Sequence, residues 1–240
     1  MQTNISIAHF MVTPLEQRCS VITNTDSGET IIVDGGGDSD RIIQWIDSGI
    51  GTPDNLIGKY DGRRNVVALL NTHAHFDHSG HIPFFKEHYG LEWWLHKDDF
   101  HLQSLVQQSA ARWGISVPKP AIAENTWEHG DTYKFAGFDF EILHTPGHSL
   151  GSCSLRLKNS DGPDHLFSGD ALFQGSIGRT DLPNSGGDME LLLRMIKNRI
   201  LTLSEDTIVH PGHGPMTEVG IEKRTNPFLT GRFNPSDFMM

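Results

Sequence analysis

Short apolar runs separated by turn residues predict a chain built largely of β-strands. Most of these runs are wholly apolar or alternate with polar residues, as strands of buried sheets do. The predicted strands cover residues 5–7, 19–23, 30–33, 66–70, 92–96, 152–157, 165–168 and 207–209. Residues 131–143 predict a hairpin that turns at Ala136-Gly137. Residues 51–65 are rich in Gly, Pro, Asp and Arg and predict an exposed loop.

Apolar residues at helical spacing predict helices between and after these strands. The predicted helices cover residues 38–46, 82–88, 97–113 and 188–201, and a short further element covers residues 221–229. No low-complexity tract, linker or fixed-period repeat divides the chain. The pattern therefore predicts one domain over residues 1–240 that ends in a short tail, residues 214–240.

Composition and charge narrow the class of protein. The chain has 240 residues, of which 37% are hydrophobic and 20% charged, which is typical of a soluble globular protein. The formal net charge is −11, from 19 basic and 30 acidic side chains. This acidic balance argues against nucleic acid or an anionic membrane as the main partner, but it allows a local basic pocket.

The two cysteines, Cys19 and Cys153, form no CxxC pair and predict buried, reduced thiols. Such thiols suit a reducing cytoplasm, which is the predicted location. Residues 1–10 lack the basic and apolar regions of a secretory signal. No apolar run approaches the roughly 20 residues that a membrane span needs.

Histidine carries the clearest chemical signal, because several of the 14 histidines lie in short clusters. In the segment Thr72-His73-Ala74-His75-Phe76-Asp77-His78-Ser79-Gly80, three imidazoles and a carboxylate fall within six residues. Zinc and similar dications bind both kinds of ligand. Positions 73 and 75 of an extended segment point to one side, and a turn over residues 76–78 can aim Asp77 and His78 at a neighbouring ion. The segment predicts a metal site at a strand end.

Three later fragments add one candidate ligand each. They are Thr145-Pro146-Gly147-His148-Ser149, Ser168-Gly169-Asp170-Ala171 and His210-Pro211-Gly212-His213-Gly214-Pro215. Glycine beside a ligand allows close backbone approach, and proline restricts the turn. Each fragment alone is typical of an ordinary loop, but the clusters together, in this order, argue against coincidence.

The order HxHxDH, PGH, GDxLF-like and PGHGP closely resembles the metallo-β-lactamase superfamily. Three further segments resemble its glyoxalase II-like thioester hydrolases. They are Ser168-Gly169-Asp170-Ala171-Leu172-Phe173, Ser176-Ile177-Gly178-Arg179-Thr180-Asp181-Leu182-Pro183 and Asn226-Pro227-Phe228-Leu229. The resemblance as a whole runs from about Leu15 to about Leu229 of this chain.

The resemblance implies an α+β fold, an αββα four-layer sandwich in which two mixed β-sheets are flanked by helices. It implies two divalent ions, with zinc expected and iron or manganese as alternatives. One ion would bind His73, His75 and His148, the second Asp77, His78 and His213, and Asp170 would bridge both. Related β-lactamases with two zinc ions usually have cysteine at the position of Asp170, so we do not expect antibiotic hydrolysis.

The implied activity is hydrolysis of S-acyl thioesters such as S-lactoylglutathione by a metal-bridging hydroxide, which Asp77 could orient. A thiolate leaving group needs little general acid, and none is assigned. Arg179 is the candidate for binding a substrate carboxylate. The alternative for Arg179 is a structural ion pair with Asp181.

Other readings stay open. A mononuclear iron persulfide dioxygenase would use His73, His148 and Asp170, and a hydrolase of lactones or other esters of the same superfamily is a further alternative. A purely structural metal site fits poorly, because seven ligands for two ions leave open coordination positions. Glutathione-specific relatives often carry a helical C-terminal domain, which the tail does not provide. His144 and His210 are candidate hydrogen-bond partners of the ligands.

Overall fold

The computed structural model describes residues 4–232 and contains two six-stranded sheets. The strands of the first sheet are β1 Ile5–Val12, β2 Gln17–Asn24, β3 Glu29–Val33, β4 Asn55–Ile57, β5 Asn65–Leu70 and β6 Trp93–Trp94. Their order is β4-β1-β2-β3-β5-β6. β5 runs parallel to both β3 and β6, and the other pairs are antiparallel, so this sheet is mixed.

The second half of the chain forms the second sheet and a small hairpin. The strands are β7 Thr132–Phe135, β8 Phe138–His144, β9 Cys153–Leu157, β10 His165–Gly169, β11 Leu172–Phe173, β12 Ser176–Ile177, β13 Ile208–Pro211 and β14 Thr217–Glu218. The sheet order is β14-β13-β10-β9-β8-β7, while β11 and β12 pair with each other. Only β10 and β13 are parallel, so this sheet is also mixed.

Helices cover the outer faces of both sheets. They are α1 Ser39–Ser48, α2 Phe76–Ser79, α3 Ile82–Tyr89, α4 Phe100–Ala111, α5 Met189–Met195 and α6 Val219–Thr225. Side chains of α1, α3 and α4 pack on the first sheet, and those of α5 and α6 pack on the second. A third apolar cluster fills the space between the sheets. This layer order confirms the predicted αββα sandwich.

Strand β1 shows how the sequence specifies burial on both faces. Ile5 and Ile7 belong to the cluster between the sheets, whereas Phe10 and Val12 belong to the cluster under the helices. Side chains alternate in direction along a strand, and the apolar phase changes within β1. Fully burying one such side chain stabilises the fold by about 1.5–3 kcal/mol.

Several local predictions were wrong in detail. Residues 51–65 are not only loop, since β4 pairs with β1 and forms the edge of the first sheet. Leu56 in β4 is 47% exposed, so this strand lacks the pattern of buried apolar residues that predicts strands. A 3-10 turn, Lys97–Asp99, precedes α4, and α5 widens into a π turn, Ile196–Ile200. α2, β11 and β12 had not been predicted. The predicted tail contains α6, and its last residues, 233–240, lie outside the described residues.

Membrane insertion through a helix finds no support in residues 4–232, where every helix is too short or too polar to cross a bilayer.

Candidate metal centre

The predicted ligands meet where strands of both sheets end. His73 follows β5 of the first sheet. The other segments come from the second sheet, with His148 between β8 and β9, Asp170 directly after β10, and His213 two residues after β13. Because these four strand ends lie at one edge of the sandwich, residues that are up to 140 positions apart share one site.

The short helix α2 places the three remaining ligands. His75 directly precedes α2, and Asp77 and His78 lie within it. The backbone of Gly36 packs so closely on this helix that a methyl group there would overlap the carbonyl oxygen of Asp77. The glycine is therefore required for α2 to approach the first sheet.

The seven side chains form two groups with a shared carboxylate. His73, His75 and His148 offer atoms within 4.8 Å of one another, and so do Asp77, His78 and His213. Asp170 lies between the groups. Its Oδ1 is 3.2 Å from His78 Nε2, and its Oδ2 is 3.4 Å from His148 Nε2 and 3.7 Å from His213 Nε2.

Backbone carbonyls fix the orientation of two of the imidazoles. His148 Nδ1 is 2.7 Å from the carbonyl oxygen of Arg179, and His213 Nδ1 is 3.0 Å from that of Leu15. A carbonyl oxygen can only accept, so each Nδ1 carries the proton. Each Nε2 then faces the site, where a neutral ring presents a lone pair.

Asp34 does the same for two more histidines. Its carboxylate accepts hydrogen bonds from His78 Nδ1 at 3.0 Å and from the amide and hydroxyl of Thr72, each at 2.7 Å. The Thr72 hydroxyl donates to Asp34, so at 3.1 Å it accepts from His73 Nδ1. Both histidines therefore turn Nε2 towards the site. The sequence did not predict Asp34 as part of the site, so this role was missed.

His75 is the exception, because it turns Nδ1 inward. Its Nε2 lies 2.7 Å from the hydroxyl of Ser185, and its Nδ1 lies 2.9 Å from His148 Nε2. The buried Nε2 of His73 has no hydrogen-bond partner in the part of the chain that the structure describes. Buried nitrogen atoms that face each other or lack a partner are costly unless a cation or proton lies between them. The residues present therefore fit a bound cation.

Burial and the acidic side chains shift the pKa values of the site histidines in opposite directions. Burial lowers the pKa of His73 well below its usual range and that of His75 to about 3. Although burial also disfavours the charged form of His78, Asp170, Asp34 and Asp77 together raise its pKa well above the usual value. Without a bound cation, a proton on His78 therefore offsets the negative charge of the carboxylates, and a metal ion would replace that proton.

A cavity of about 700 Å³ opens over these ligands. Arg179 lines it, but its guanidinium is exposed and pairs bidentately with Asp181, at 2.7 and 2.9 Å. This is the ion pair that we had named as the alternative, and substrate binding by Arg179 stays a prediction. Arg112 and Trp113 also line the cavity and had not been predicted as part of a site.

The prediction that His144 and His210 contact the ligands was wrong. His144 stacks on His96 and makes a hydrogen bond to the carbonyl of Leu150 at 2.8 Å. His210 bonds to two other buried histidines, His9 and His165. His144 and His210 lie within strands, whereas the ligands that follow them in the sequence, His148 and His213, lie in loops, so nearness in the sequence does not determine contact.

Comparison with known proteins agrees with this geometry. Residues 12–215 match the family profile of the metallo-beta-lactamase superfamily. The chain is 39% identical to the hydroxyacylglutathione hydrolase GloC of Haemophilus influenzae, over 92% of this chain and 96% of that protein. It resembles the crystal structure of the BLEG-1 B3 metallo-beta-lactamase with a TM-score of 0.80 and 36% identity, covering 94% of this chain and all of the other. It resembles TTHA1623 in a di-iron-bound form with a TM-score of 0.75 and 34% identity, over 92% of this chain and 99% of that one. The chain is therefore a metallo-hydrolase that belongs to the metallo-β-lactamase superfamily.

Proposed function

We propose that this protein is a glyoxalase II-like hydrolase that cleaves S-acyl thioesters, such as S-lactoylglutathione, with two divalent metal ions. One observation carries the proposal. Imidazole nitrogens and carboxylate oxygens that accept hydrogen bonds converge at 2.9–3.7 Å, and the hydrogen bonds on their far sides orient them inward. Such an arrangement is costly unless protons or cations lie between the acceptors, and bound metal ions would meet that need.

The same hydrogen bonds support the assignment of ligands. His73, His75 and His148 would hold one ion, Asp77, His78 and His213 the other, and Asp170 would contact both. Zinc is the expected metal because it binds imidazole and carboxylate, and iron and manganese are the alternatives. The di-iron-bound form of TTHA1623 supports iron as one of these alternatives.

Two bound dications would lower the pKa of a water molecule towards neutrality and polarise the substrate carbonyl. From the protein, the Asp77 carboxylate, which lines the cavity, would orient the attacking water. Neither cysteine can serve as a nucleophile, because both are buried and burial raises the pKa of each thiol. The attacking nucleophile is therefore not a cysteine.

Thioesters suit this site better than amides. A thiolate leaves readily because its conjugate acid has a pKa of about 8.5, so no general acid has to be provided. The relative GloC is named for hydrolysis of a glutathione thioester, which supports the same substrate class here.

The test is release of glutathione from S-lactoylglutathione by protein loaded with zinc, iron or manganese, followed with a thiol reagent. We expect release that disappears after chelation and returns with metal. His148→Ala should lose one of the two ions and the activity, with the fold retained by circular dichroism. Full activity of the chelated protein would refute the proposal.

β-Lactam hydrolysis is the second candidate, because the BLEG-1 B3 metallo-beta-lactamase is similar over nearly the whole chain. Nitrocefin hydrolysis by the same loaded preparations tests it. Faster turnover of nitrocefin than of any thioester would move the function to lactams, with the metal centre unchanged. Oxygen uptake with glutathione persulfide tests the dioxygenase alternative in the same way.

A further inference from the structure

Two arginines line the cavity above the metal centre, and they differ in what they contact. The Arg179 guanidinium is already held by Asp181 through two hydrogen bonds. The Arg112 side chain is exposed and makes neither an ion pair nor a hydrogen bond with any residue from 4 to 232. A free guanidinium at a cavity is available to an anionic ligand, whereas a paired one must first give up its partner.

Hydrogen bonds at the end of α4 fix the backbone on which Arg112 stands. The amides of Trp113 and Ile115 both donate to the carbonyl of Ala110, at 2.9 and 3.0 Å, and Gly114 ends the helix with φ of 70°. Ala110 is fully buried in an apolar cluster with Phe76. Because Phe76 is the first residue of α2, the end of α4 is packed against the helix that carries the candidate ligand Asp77.

An apolar wall lies beside this cation. Trp113 lines the cavity yet is 54% exposed, and it shares the lining with Leu15, Phe173 and Leu182. A large indole left half in water gains free energy when an apolar group covers it. The cavity therefore offers a cation and an apolar surface on adjacent residues.

We infer that Arg112 and Trp113 form the subsite that recognises the substrate, so that the preferred thioester carries both a carboxylate and an apolar chain. Arg112 pairs with the carboxylate and Trp113 covers the chain. Arg179 instead acts through its backbone, since its carbonyl orients His148. This inference rests on the proposed function and names the class of thioester that the site selects.

Binding can be measured without turnover. The probes are S-hexylglutathione, a thioether that cannot be hydrolysed, and its diethyl ester, which lacks both carboxylates. Titration calorimetry on metal-free protein gives the two affinities for wild type, Arg112→Gln, Arg179→Gln and Lys119→Gln. Lys119 is the matched control, because it is an exposed cation outside the cavity.

We expect Arg112→Gln to weaken binding of S-hexylglutathione about tenfold, the value for one exposed charge-assisted hydrogen bond, and to leave binding of the diester unchanged. Arg112→Lys should recover part of the loss, and Trp113→Ala should weaken both probes alike. Arg179→Gln and Lys119→Gln should change neither affinity more than twofold.

The inference fails if Arg112→Gln weakens both probes equally, if Arg179→Gln has the larger effect, or if wild type binds neither probe. Each of these results leaves the proposed function separately testable, because metal-dependent hydrolysis of a neutral thioester does not involve Arg112. If the loaded wild-type protein cleaves the neutral thioester while the binding test fails, only the substrate subsite is wrong. If no thioester is cleaved, the proposed function itself fails.

Discussion

A chain of three buried histidines should make the protein lose stability in mild acid. His165 Nδ1 lies 2.9 Å from His210 Nε2, His210 Nδ1 lies 3.0 Å from His9 Nε2, and His9 Nδ1 lies 3.0 Å from the hydroxyl of Ser20. The chain runs from β10 and β13 of the second sheet to β1 and β2 of the first. It therefore links the two sheets through neutral imidazoles.

Burial keeps these imidazoles neutral. It lowers the pKa of His165 to about 4, and that of His9 and His210 well below the usual value. The nearby Arg18 adds to the effect at His9 and His210, whereas Asp164 opposes it at His165.

The sign follows from the unfolded state, in which each histidine has a pKa of about 6.5. Between about pH 6.5 and pH 4 the unfolded chain binds protons that the folded protein rejects, so stability falls as the pH falls. Above this window the stabilisation is complete. Each such histidine contributes a slope of about 1.4 kcal/mol per pH unit, and His165 alone accounts for about 2 kcal/mol between pH 7 and pH 5.

His165→Asn isolates this term, because the asparagine amide can replace Nδ1 in the contact with His210 but does not titrate. Urea unfolding of metal-free protein from pH 5 to pH 7 gives the free energy of unfolding for the variant, the wild type and His129→Asn, a control at an exposed histidine. We expect the average slope between pH 5 and pH 7 to fall by about 1 kcal/mol per pH unit in His165→Asn only. Equal slopes in the three proteins would refute the reasoning.

Three further substitutions test the metal centre. The methyl group of Gly36→Ala should overlap the carbonyl of Asp77, so this variant should lose about 3 kcal/mol or more of unfolding free energy and bind less metal by mass spectrometry. The control is Gly49→Ala, at φ of 67° with open space around it. It should lose about 1 kcal/mol and keep its metal content. Asp34→Asn should weaken metal binding about 10–100-fold in a chelator competition, since it removes the charged partner of His78 and of the Thr72 hydroxyl that orients His73. Unchanged affinity would contradict that role. His148→Ala should bind about one ion instead of two, and two tightly bound ions would show that it is not a ligand.

The fold was largely predictable because its strands are short, apolar and separated by turn residues. The hairpin at Ala136-Gly137 shows this well, since both residues have positive φ, 50° and 79°, as its tight turn requires. What the pattern missed are elements without a buried face. β4 lies at the sheet edge with Leu56 exposed, and such a strand looks like a loop in the sequence.

The candidate ligands were predictable for a different reason. His73, His75, Asp77 and His78 lie together in the chain, so the density of metal-binding side chains is visible without a structure. Their convergence with three distant residues required the resemblance to a family. Their roles as ligands stay a proposal, which metal analysis of the variants would decide.

The residues that orient the ligands could not be predicted. Two of the imidazoles depend on backbone carbonyls, those of Leu15 and Arg179, and any residue type supplies a carbonyl. The sequence also does not show that the Arg112 guanidinium lacks an acidic partner among the described residues, because this depends on which carboxylates the fold brings near it. Sequence patterns report which groups are present, whereas tautomers and unpaired charges depend on distances between elements.

The glycines of the motifs are explained by the space around Asp170, the carboxylate placed between the two groups. A methyl group on Gly178 would overlap the backbone carbonyl of Asp170, and one on Gly212 would overlap its Oδ1 and lie 2.6 Å from a ring carbon of His78. Any side chain at either position must therefore displace the one candidate ligand that both ions would share. The glycines and the ligands form one unit, because the carboxylate can reach both groups only where the surrounding backbone carries no side chain.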